Sequence, residues 1–157
     1  VTSVTSQAWQ VAGAADFDRD GQADVLWHNA STGANVIWRS AKSATLQSVT
    51  GVTDPSWRIA GLGDFNGDSK ADILWHNDAT GASAIWCSAN SSIKLAVATL
   101  ADLHWKVAAV ADYNADGKAD ILWRNDLTGA NTIWRSGLAS TPQTVTPIAD
   151  VHWSAIP

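Results

Sequence analysis

The sequence repeats itself with a fixed period of 48 residues, and no residue is gained or lost between copies. Four tryptophans mark the period: Trp9, Trp57, Trp105 and Trp153. The segments between them match in register, as in DFDRDGQADVLW, DFNGDSKADILW and DYNADGKADILW. A repeat of roughly 20 to 50 residues is typical of one supersecondary unit that stacks on copies of itself. We therefore expect an array of equivalent units.

Each unit is predicted to be all β. No window shows a sustained helical period or a capping box, and none of the 15 acidic residues is Glu, which is unusual for a helical protein. In the first copy the predicted strands cover residues 10–15, 25–29, 34–39 and 45–52. The turn before the third strand places Gly33 where a left-handed residue is needed.

The second and third strands are near-continuous apolar runs, as expected when both faces of a sheet are covered. Four short antiparallel strands of this kind are typical of a β-propeller blade. A stacked β-solenoid is the alternative, but its repeats are usually shorter. We expect one repeat domain with blades at about 9–56, 57–104 and 105–152, and end segments 1–8 and 153–157 that overlap the next unit.

Composition excludes several classes of partner. The formal charge of −5 argues against nucleic acid, which requires a basic face. No apolar run is long enough to span a membrane, and the start lacks the features of a signal peptide. Because the first residue is Val, we expect a processed or excised piece. Cys87 is the only cysteine, so an intrachain disulfide is excluded.

An acidic loop lies between the first two strands of each unit, with the pattern D-x-[DN]-x-D-x-x-x-D. Oxygen ligands at alternate positions around a tight turn are suited to Ca²⁺. Positions one, three, five and nine would supply side-chain oxygens and position seven a backbone carbonyl. The predicted calcium ligands are Asp16, Asp18, Asp20, Gln22 and Asp24; Asp64, Asn66, Asp68, Lys70 and Asp72; and Asp112, Asn114, Asp116, Lys118 and Asp120.

Two alternatives to this metal loop were considered. An EF-hand needs a bidentate Glu at position twelve, but Trp27, Trp75 and Trp123 occupy that position, and flanking helices are not predicted. Solvated Asp and Asn turns would be an ordinary explanation for one loop, but three loops in register favour a cation. Ser69 replaces the loop glycine in the second copy, so we expect that site to be the weakest.

The segment 61–75, GLGDFNGDSKADILW, and its two counterparts resemble the FG-GAP or VCBS repeat of integrin α-chain propellers and many secreted proteins. The resemblance covers essentially the whole chain. It implies a four-stranded blade per repeat and Ca²⁺ in the Asp-rich loop. It also implies a role in adhesion, as a lectin, or as an accessory domain of a larger secreted protein.

Ten tryptophans exceed what such a repeat demands. Core packing is the ordinary explanation. The alternative is that some of them stack on sugar rings beside polar neighbours. The predicted ligand-binding residues are Trp27, His28, Asn29, Trp38, Arg39, Trp75, His76, Asn77, Trp86, Trp123, Arg124, Asn125, Trp134 and Arg135. Cys87 takes the place of Arg39 and Arg135 in the second copy.

Three blades cannot close a ring, because propellers typically have four to eight. Either the chain is cut from a longer array or copies assemble, and we favour a homodimer of six blades. The sequence offers no nucleophile–base pair, so we do not expect an enzyme. The favoured function is a secreted, calcium-stabilised, multivalent lectin. The alternative is a protein-binding adhesion module or an accessory propeller fragment of a larger secreted protein.

Overall fold

A computed structural model describes residues 6–152 as three four-stranded antiparallel sheets. The first sheet consists of β1 (Trp9–Ala15), β2 (Asp24–Asn29), β3 (Asn35–Trp38) and β4 (Leu46–Val49). The second consists of β5 (Trp57–Gly63), β6 (Asp72–Asn77), β7 (Ser83–Trp86) and β8 (Lys94–Val97). The third consists of β9 (Trp105–Ala111), β10 (Asp120–Asn125), β11 (Asn131–Trp134) and β12 (Pro142–Val145).

Strands that follow one another along the chain are neighbours within each sheet, so every sheet is a simple meander. The predicted all-β class with three four-stranded blades is confirmed. Gly33 has the expected left-handed backbone, with φ of +73°. Within residues 6–152 no helix has the length and apolar character needed to cross a membrane. Residues 1–5 of the predicted first end segment and the whole of the second, 153–157, which includes Trp153, lie outside the described residues.

The third strand ends one residue earlier than predicted. A short 3-10 turn begins at Arg39, and equivalent turns begin at Cys87 and Arg135. The serine that follows in each turn is left-handed: φ is 47° at Ser40, 47° at Ser88 and 50° at Ser136. Such a conformation costs roughly 1–2 kcal/mol for a residue with a Cβ. It persists because the serine N–H has a buried partner.

That partner is the aspartate at position nine of each acidic loop. The carboxylates of Asp24, Asp72 and Asp120 are fully buried at the start of the second strands. In the first sheet, one oxygen of Asp24 accepts the Ser40 N–H at 2.7 Å and the other accepts the Phe17 N–H at 3.0 Å. The same two bonds recur at Asp72 and Asp120. One side chain therefore fixes the loop, the strand and the turn together.

The core lies between the sheets. We call the face that a sheet turns towards the next sheet its trailing face, and the opposite one its leading face. The first junction is formed by Phe17, Leu26 and Ile37 from the trailing face of the first sheet and by Ile73, Trp75 and Trp86 from the leading face of the second. The second junction repeats it with Phe65, Leu74, Ile85, Ile121, Trp123 and Trp134. The sheets therefore stack through one repeated interface.

Replacing Trp123 by Ala should lower the free energy of unfolding by about 3–5 kcal/mol, because the side chain is fully buried and would leave a cavity. Urea denaturation monitored by circular dichroism measures the change. Leu127→Ala, at a side chain that is 64% exposed, is the control and should change stability little. A Trp123→Ala loss below about 1 kcal/mol would contradict the core assignment.

Asp120→Ala, measured in EDTA to exclude metal effects, should cost about 2–5 kcal/mol, because two backbone N–H groups lose their acceptor. Asp116→Ala in the same loop is the matched control, since its carboxylate is exposed, and it should cost much less. Equal losses for the two variants would show that the buried position carries no special role.

Candidate functional site

The three acidic loops lie side by side at the same end of their sheets. The Asp16 carbonyl accepts the Ala71 N–H at 2.8 Å, and the Asp64 carbonyl accepts the Ala119 N–H at 2.6 Å. Each bond joins the first residue of one loop to the eighth residue of the next. Adjacent loops are therefore held in a fixed relation by the stacking of the sheets.

Each loop winds around the carboxylate at its first position. In the first loop, Asp16 Oδ1 accepts the N–H of Arg19 at 2.6 Å and Oδ2 accepts the N–H of Gly21 at 2.8 Å. Two residues per loop are left-handed, at the fourth and sixth positions: Arg19, Gly21, Gly67, Ser69, Ala115 and Gly117. Ser69, at φ of 66°, has the same conformation as the glycines that it replaces, so the second loop keeps its shape.

The pKa shifts of the loop aspartates differ between the first position, where backbone N–H groups surround the carboxylate, and the buried ninth position. The backbone N–H of Gly117, with three further N–H groups, lowers the pKa of Asp112. Desolvation raises the pKa of Asp16, but four backbone N–H groups outweigh it and the net pKa is lowered. Burial raises the pKa of Asp72 to about 6, with a smaller contribution from the nearby charges of Asp68 and Asp64. Negative charge accumulates in these loops.

The donor set of the loops fits a hard cation. In the first loop, carboxylate oxygens of Asp16, Asp18 and Asp24 lie within 4.8 Å of one another. The loops supply aspartate, asparagine and backbone oxygens, the ligands that Ca²⁺ takes in groups of six to eight. Asn66 and Asn114 stand where the first loop has Asp18, and each donates its amide to the aspartate at position five. The oxygen of each asparagine accepts that aspartate's N–H, so it lies inside the loop.

The remaining predicted ligands occupy the same loops. The backbone N–H groups of Gln22, Lys70 and Lys118 donate to the aspartate at position five, at 2.8, 2.9 and 2.9 Å. Asp20 and Asp68 also accept a hydrogen bond from a serine hydroxyl in the turn after the third strand. The structure thus brings the predicted metal residues of each copy together in one loop.

The first loop contains an internal counter-ion that the other two lack. The guanidinium of Arg39 forms an ion pair with Asp18, and its Nη1 lies 3.9 Å from Asp24. In the second sheet this position is the buried Cys87. In the third, Arg135 donates to Gln143 at 2.9 Å. Arg39 belongs to the acidic loop, and not to a tryptophan pocket as the sequence suggested.

Most of the predicted sugar-binding residues are buried. Those with at most 9% of their surface exposed are Asn29, Trp75, His76, Asn77, Trp86, Trp123, Arg124, Asn125 and Trp134. The tryptophans pack in pairs within each sheet, with ring centroids 4.9 to 5.2 Å apart and the rings tilted by 48° to 57°. A buried ring offers no face to a sugar, so these positions are core. Trp27, His28, Trp38 and Arg39 are half-buried, and Arg135 is exposed.

The predicted binding residues Asn29, Asn77 and Asn125 stabilise turns. Asn29 Oδ1 accepts the N–H groups of Ser31 and Thr32, both at 3.0 Å. Asn77 and Asn125 form the same pair of bonds in the later copies. They cap the turn that leads into the third strand. Side chains committed in this way to the backbone are not free to orient a ligand.

An open cleft of about 460 Å³ lies between the first two sheets. Its lining includes Trp57, His28, Asp54, Arg58 and Gln10. Of these five, only His28 is among the binding residues predicted from the sequence. Apart from Trp57 these are polar, and Trp57 is half-buried. The combination of an aromatic ring with converging polar groups is typical of small-molecule sites, which usually measure about 300–1,000 Å³.

The protonation of His28 follows from its neighbours. The Asn35 amide donates to the carbonyls of Gly33 and Thr50, so its oxygen is the acceptor in the 2.8 Å contact with His28 Nδ1. His28 Nδ1 therefore carries the proton, and in the neutral ring Nε2 is left as an acceptor. The cleft thus presents an acceptor nitrogen beside the Arg58 donors.

The second junction differs from the first at several lining positions, and one of them changes the charge. Asp78 stands where the first sheet has Ala30, and it lies 3.8 Å from His76 Nε2 and 3.8 Å from Lys106 Nζ. Arg58 also donates to Asp78 at 2.9 Å. Lys106 and Asp78 therefore bring opposite charges together across the second junction, whereas Ala30 offers no charge at this position in the first. The exchange of Ala for Asp between the copies was a sequence signal that the two junctions differ.

Comparison with known proteins assigns the repeat. The family model for the FG-GAP-like repeat matches residues 16–75 and 64–123, each match running from one acidic loop to the second strand of the next sheet. The two matches together cover more than half of the chain. No curated protein and no solved structure matches it. Repeats of this family indicate an adhesion or binding module. The chain belongs to the FG-GAP-like repeat family.

Proposed function

We propose that this protein is a secreted, calcium-stabilised binding module whose ligand is carbohydrate, held in the cleft between the first two sheets. The observation that carries the proposal is the open cleft, in which Trp57 lies among the polar side chains of His28, Asp54 and Arg58. We propose binding without catalysis, because the sequence offers no nucleophile–base pair to support an enzyme.

Calcium would act on the fold. Each loop gathers several carboxylates around a buried aspartate, and a bound cation offsets their mutual repulsion. The aspartate and asparagine side chains of each loop would hold the ion, with the carbonyl at position seven. Since the sheets stack through loops that are bonded to one another, an ion in one loop stabilises the neighbouring sheet as well.

Calcium should therefore raise the melting temperature, and EDTA should lower it. Each site that binds only the native state adds about 2.7 kcal/mol at a hundredfold excess of Ca²⁺ over Kd. Differential scanning calorimetry with EDTA and with calcium measures the difference. Asp112→Asn should reduce the response, whereas Lys118→Gln should retain it, because only the Lys118 carbonyl is a proposed ligand. Identical melting in both buffers, with no metal found by elemental analysis, contradicts the calcium proposal.

Carbohydrate fits the cleft better than other small ligands. A sugar has apolar C–H faces that pack on an aromatic ring and hydroxyls that donate and accept hydrogen bonds. Trp57 supplies the ring. His28 Nε2 and Asp54 are acceptors and Arg58 is a donor, so sugar hydroxyls can both donate and accept hydrogen bonds in the cleft. With one such cleft per chain, tighter binding to a multivalent surface requires several chains presented together.

The substitution Ala30→Asp should close the cleft and abolish glycan binding. The Ala30 N–H donates to the Ala8 carbonyl at 2.9 Å, as the Asp78 N–H does to Ser56 at 2.9 Å, so an aspartate here starts from the same backbone. It would attract Arg58 across the cleft, as Asp78 lies near Lys106. A glycan array followed by calorimetric titration of the best sugar measures the loss.

Ala44→Asp adds the same charge at an exposed position outside the cleft lining, and it should bind like the unmodified protein. Asp78→Ala is the converse variant and should open the second junction, raising the number of sugars bound per chain. If no glycan binds the intact protein with calcium present, the carbohydrate proposal fails. The protein-binding adhesion module or accessory domain of a larger secreted protein, which family membership also supports, then takes its place.

A further inference from the structure

The two outermost faces of the stack carry the same apolar positions as the internal junctions, but these positions are exposed or half-buried. These are the leading face of the first sheet, which includes Val11, Ala14, Ala23, Trp27 and Trp38, and the trailing face of the third, which includes Ala109, Tyr113, Leu122, Val145 and Ile148. Residues within 6–152 leave both faces partly uncovered. Exposed apolar surface of this extent usually marks an interaction site.

Repeat-matched positions show the change in exposure. Tyr113 is 41% exposed, whereas Phe17 and Phe65, its equivalents at the internal junctions, are 2% and 1% exposed. On the opposite face Trp27 is half-buried, whereas Trp75 and Trp123 are buried. Each end face therefore corresponds to a face that a neighbouring sheet covers at the internal junctions.

The sizes of the residues on the two end faces match. At the internal junctions a glycine faces a branched residue: a Cβ on Gly13 would lie 2.7 Å from Leu62 Cδ1, and one on Gly61 would collide with Val110. At the end faces the equivalent residues are Ala109 and Ala14. Ala109 adds a methyl group to the trailing face, where the internal junctions have glycine. Ala14 lacks the branched side chain that the internal junctions have on the leading face. The two end faces therefore remain compatible in volume.

Polar groups on the end faces match as well. The bonds from Ala71 N–H to the Asp16 carbonyl and from Ala119 N–H to the Asp64 carbonyl join the internal junctions. The next bond in this series would join Ala23 N–H to the Asp112 carbonyl, one on each end face. The His28 and His76 rings lie edge-on to Trp75 and Trp123. Arg124 would face Trp27 in the same way, where a guanidinium is attracted by the ring.

We propose that the leading face of one chain docks on the trailing face of a second copy, head to tail, and that two such junctions close a ring of six blades. A heterologous interface closes when its rotation completes a circle, and six blades lie within the usual range of four to eight. The occupant is a second copy of this chain because its end faces carry the same repeat positions as the internal junctions, with paired changes in size and polarity. This association is independent of the proposed sugar.

Sedimentation equilibrium of the 157-residue chain tests the proposal. A dimer has twice the 16.6 kDa chain mass, about 33 kDa. We expect this mass at micromolar concentration, in calcium. Val11→Asp on the leading face and Tyr113→Asp on the trailing face should each give monomer. Ile93→Asp is the control: Ile93 is 57% exposed, close to the 58% of Val11, but it precedes β8 of the second sheet, which carries neither end face, and the variant should leave the dimer intact.

Mixing the two monomeric variants distinguishes head-to-tail docking from a like-with-like contact. The mixture retains one unmodified leading face and one unmodified trailing face, so it should recover a heterodimer through a single junction. Circular dichroism verifies that each variant is folded. A monomeric unmodified chain overturns the proposal. So does a dimer that folded Val11→Asp or Tyr113→Asp leaves intact, or a mixture that stays monomeric.

Discussion

The structure depends on one buried carboxylate in each repeat. Asp24, Asp72 and Asp120 each accept a backbone N–H from the acidic loop and another from the turn after the third strand. These bonds hold the left-handed serine of that turn and fix where the loop leaves the sheet. Because each carboxylate is also the ninth residue of its loop, the group that sets the fold belongs to the proposed calcium site. The calcium proposal therefore couples ion binding to the fold.

The stacking of the sheets extends this local order along the chain. Loop-to-loop hydrogen bonds and a repeated apolar junction join one unit to the next, so each tryptophan on a leading face is covered by the preceding sheet. Exposure follows from position in the stack: Trp75 and Trp123 are buried, and Trp27 is not. The first cleft lacks the Asp78–Lys106 contact that joins the walls of the second junction, because Ala30 stands at the position of Asp78.

Periodicity was sufficient to predict the strands, the left-handed Gly33 and the loops, since each of these is a local property that recurs three times. It was insufficient for the roles of side chains. Asn77, repeated beside a tryptophan, has the pattern expected of a binding residue, yet it caps a turn. The turn after the third strand was missed because Ser40 is left-handed only through its bond to Asp24, which lies 16 residues away. Differences between copies, such as Ala30 against Asp78, point to the proposed cleft more directly than the identities do.

The central claim is that the three loops are equivalent cation sites built on the buried aspartates. The first loop is the most demanding test of calcium binding, because calcium must compete there with the Arg39 guanidinium for Asp18. Native mass spectrometry of the chain titrated with calcium counts the bound ions directly. The account predicts three calcium ions per chain, and the Asp16→Asn, Asp64→Asn and Asp112→Asn variants should each bind one fewer. A chain that binds no calcium, or that keeps three ions in these variants, would contradict it.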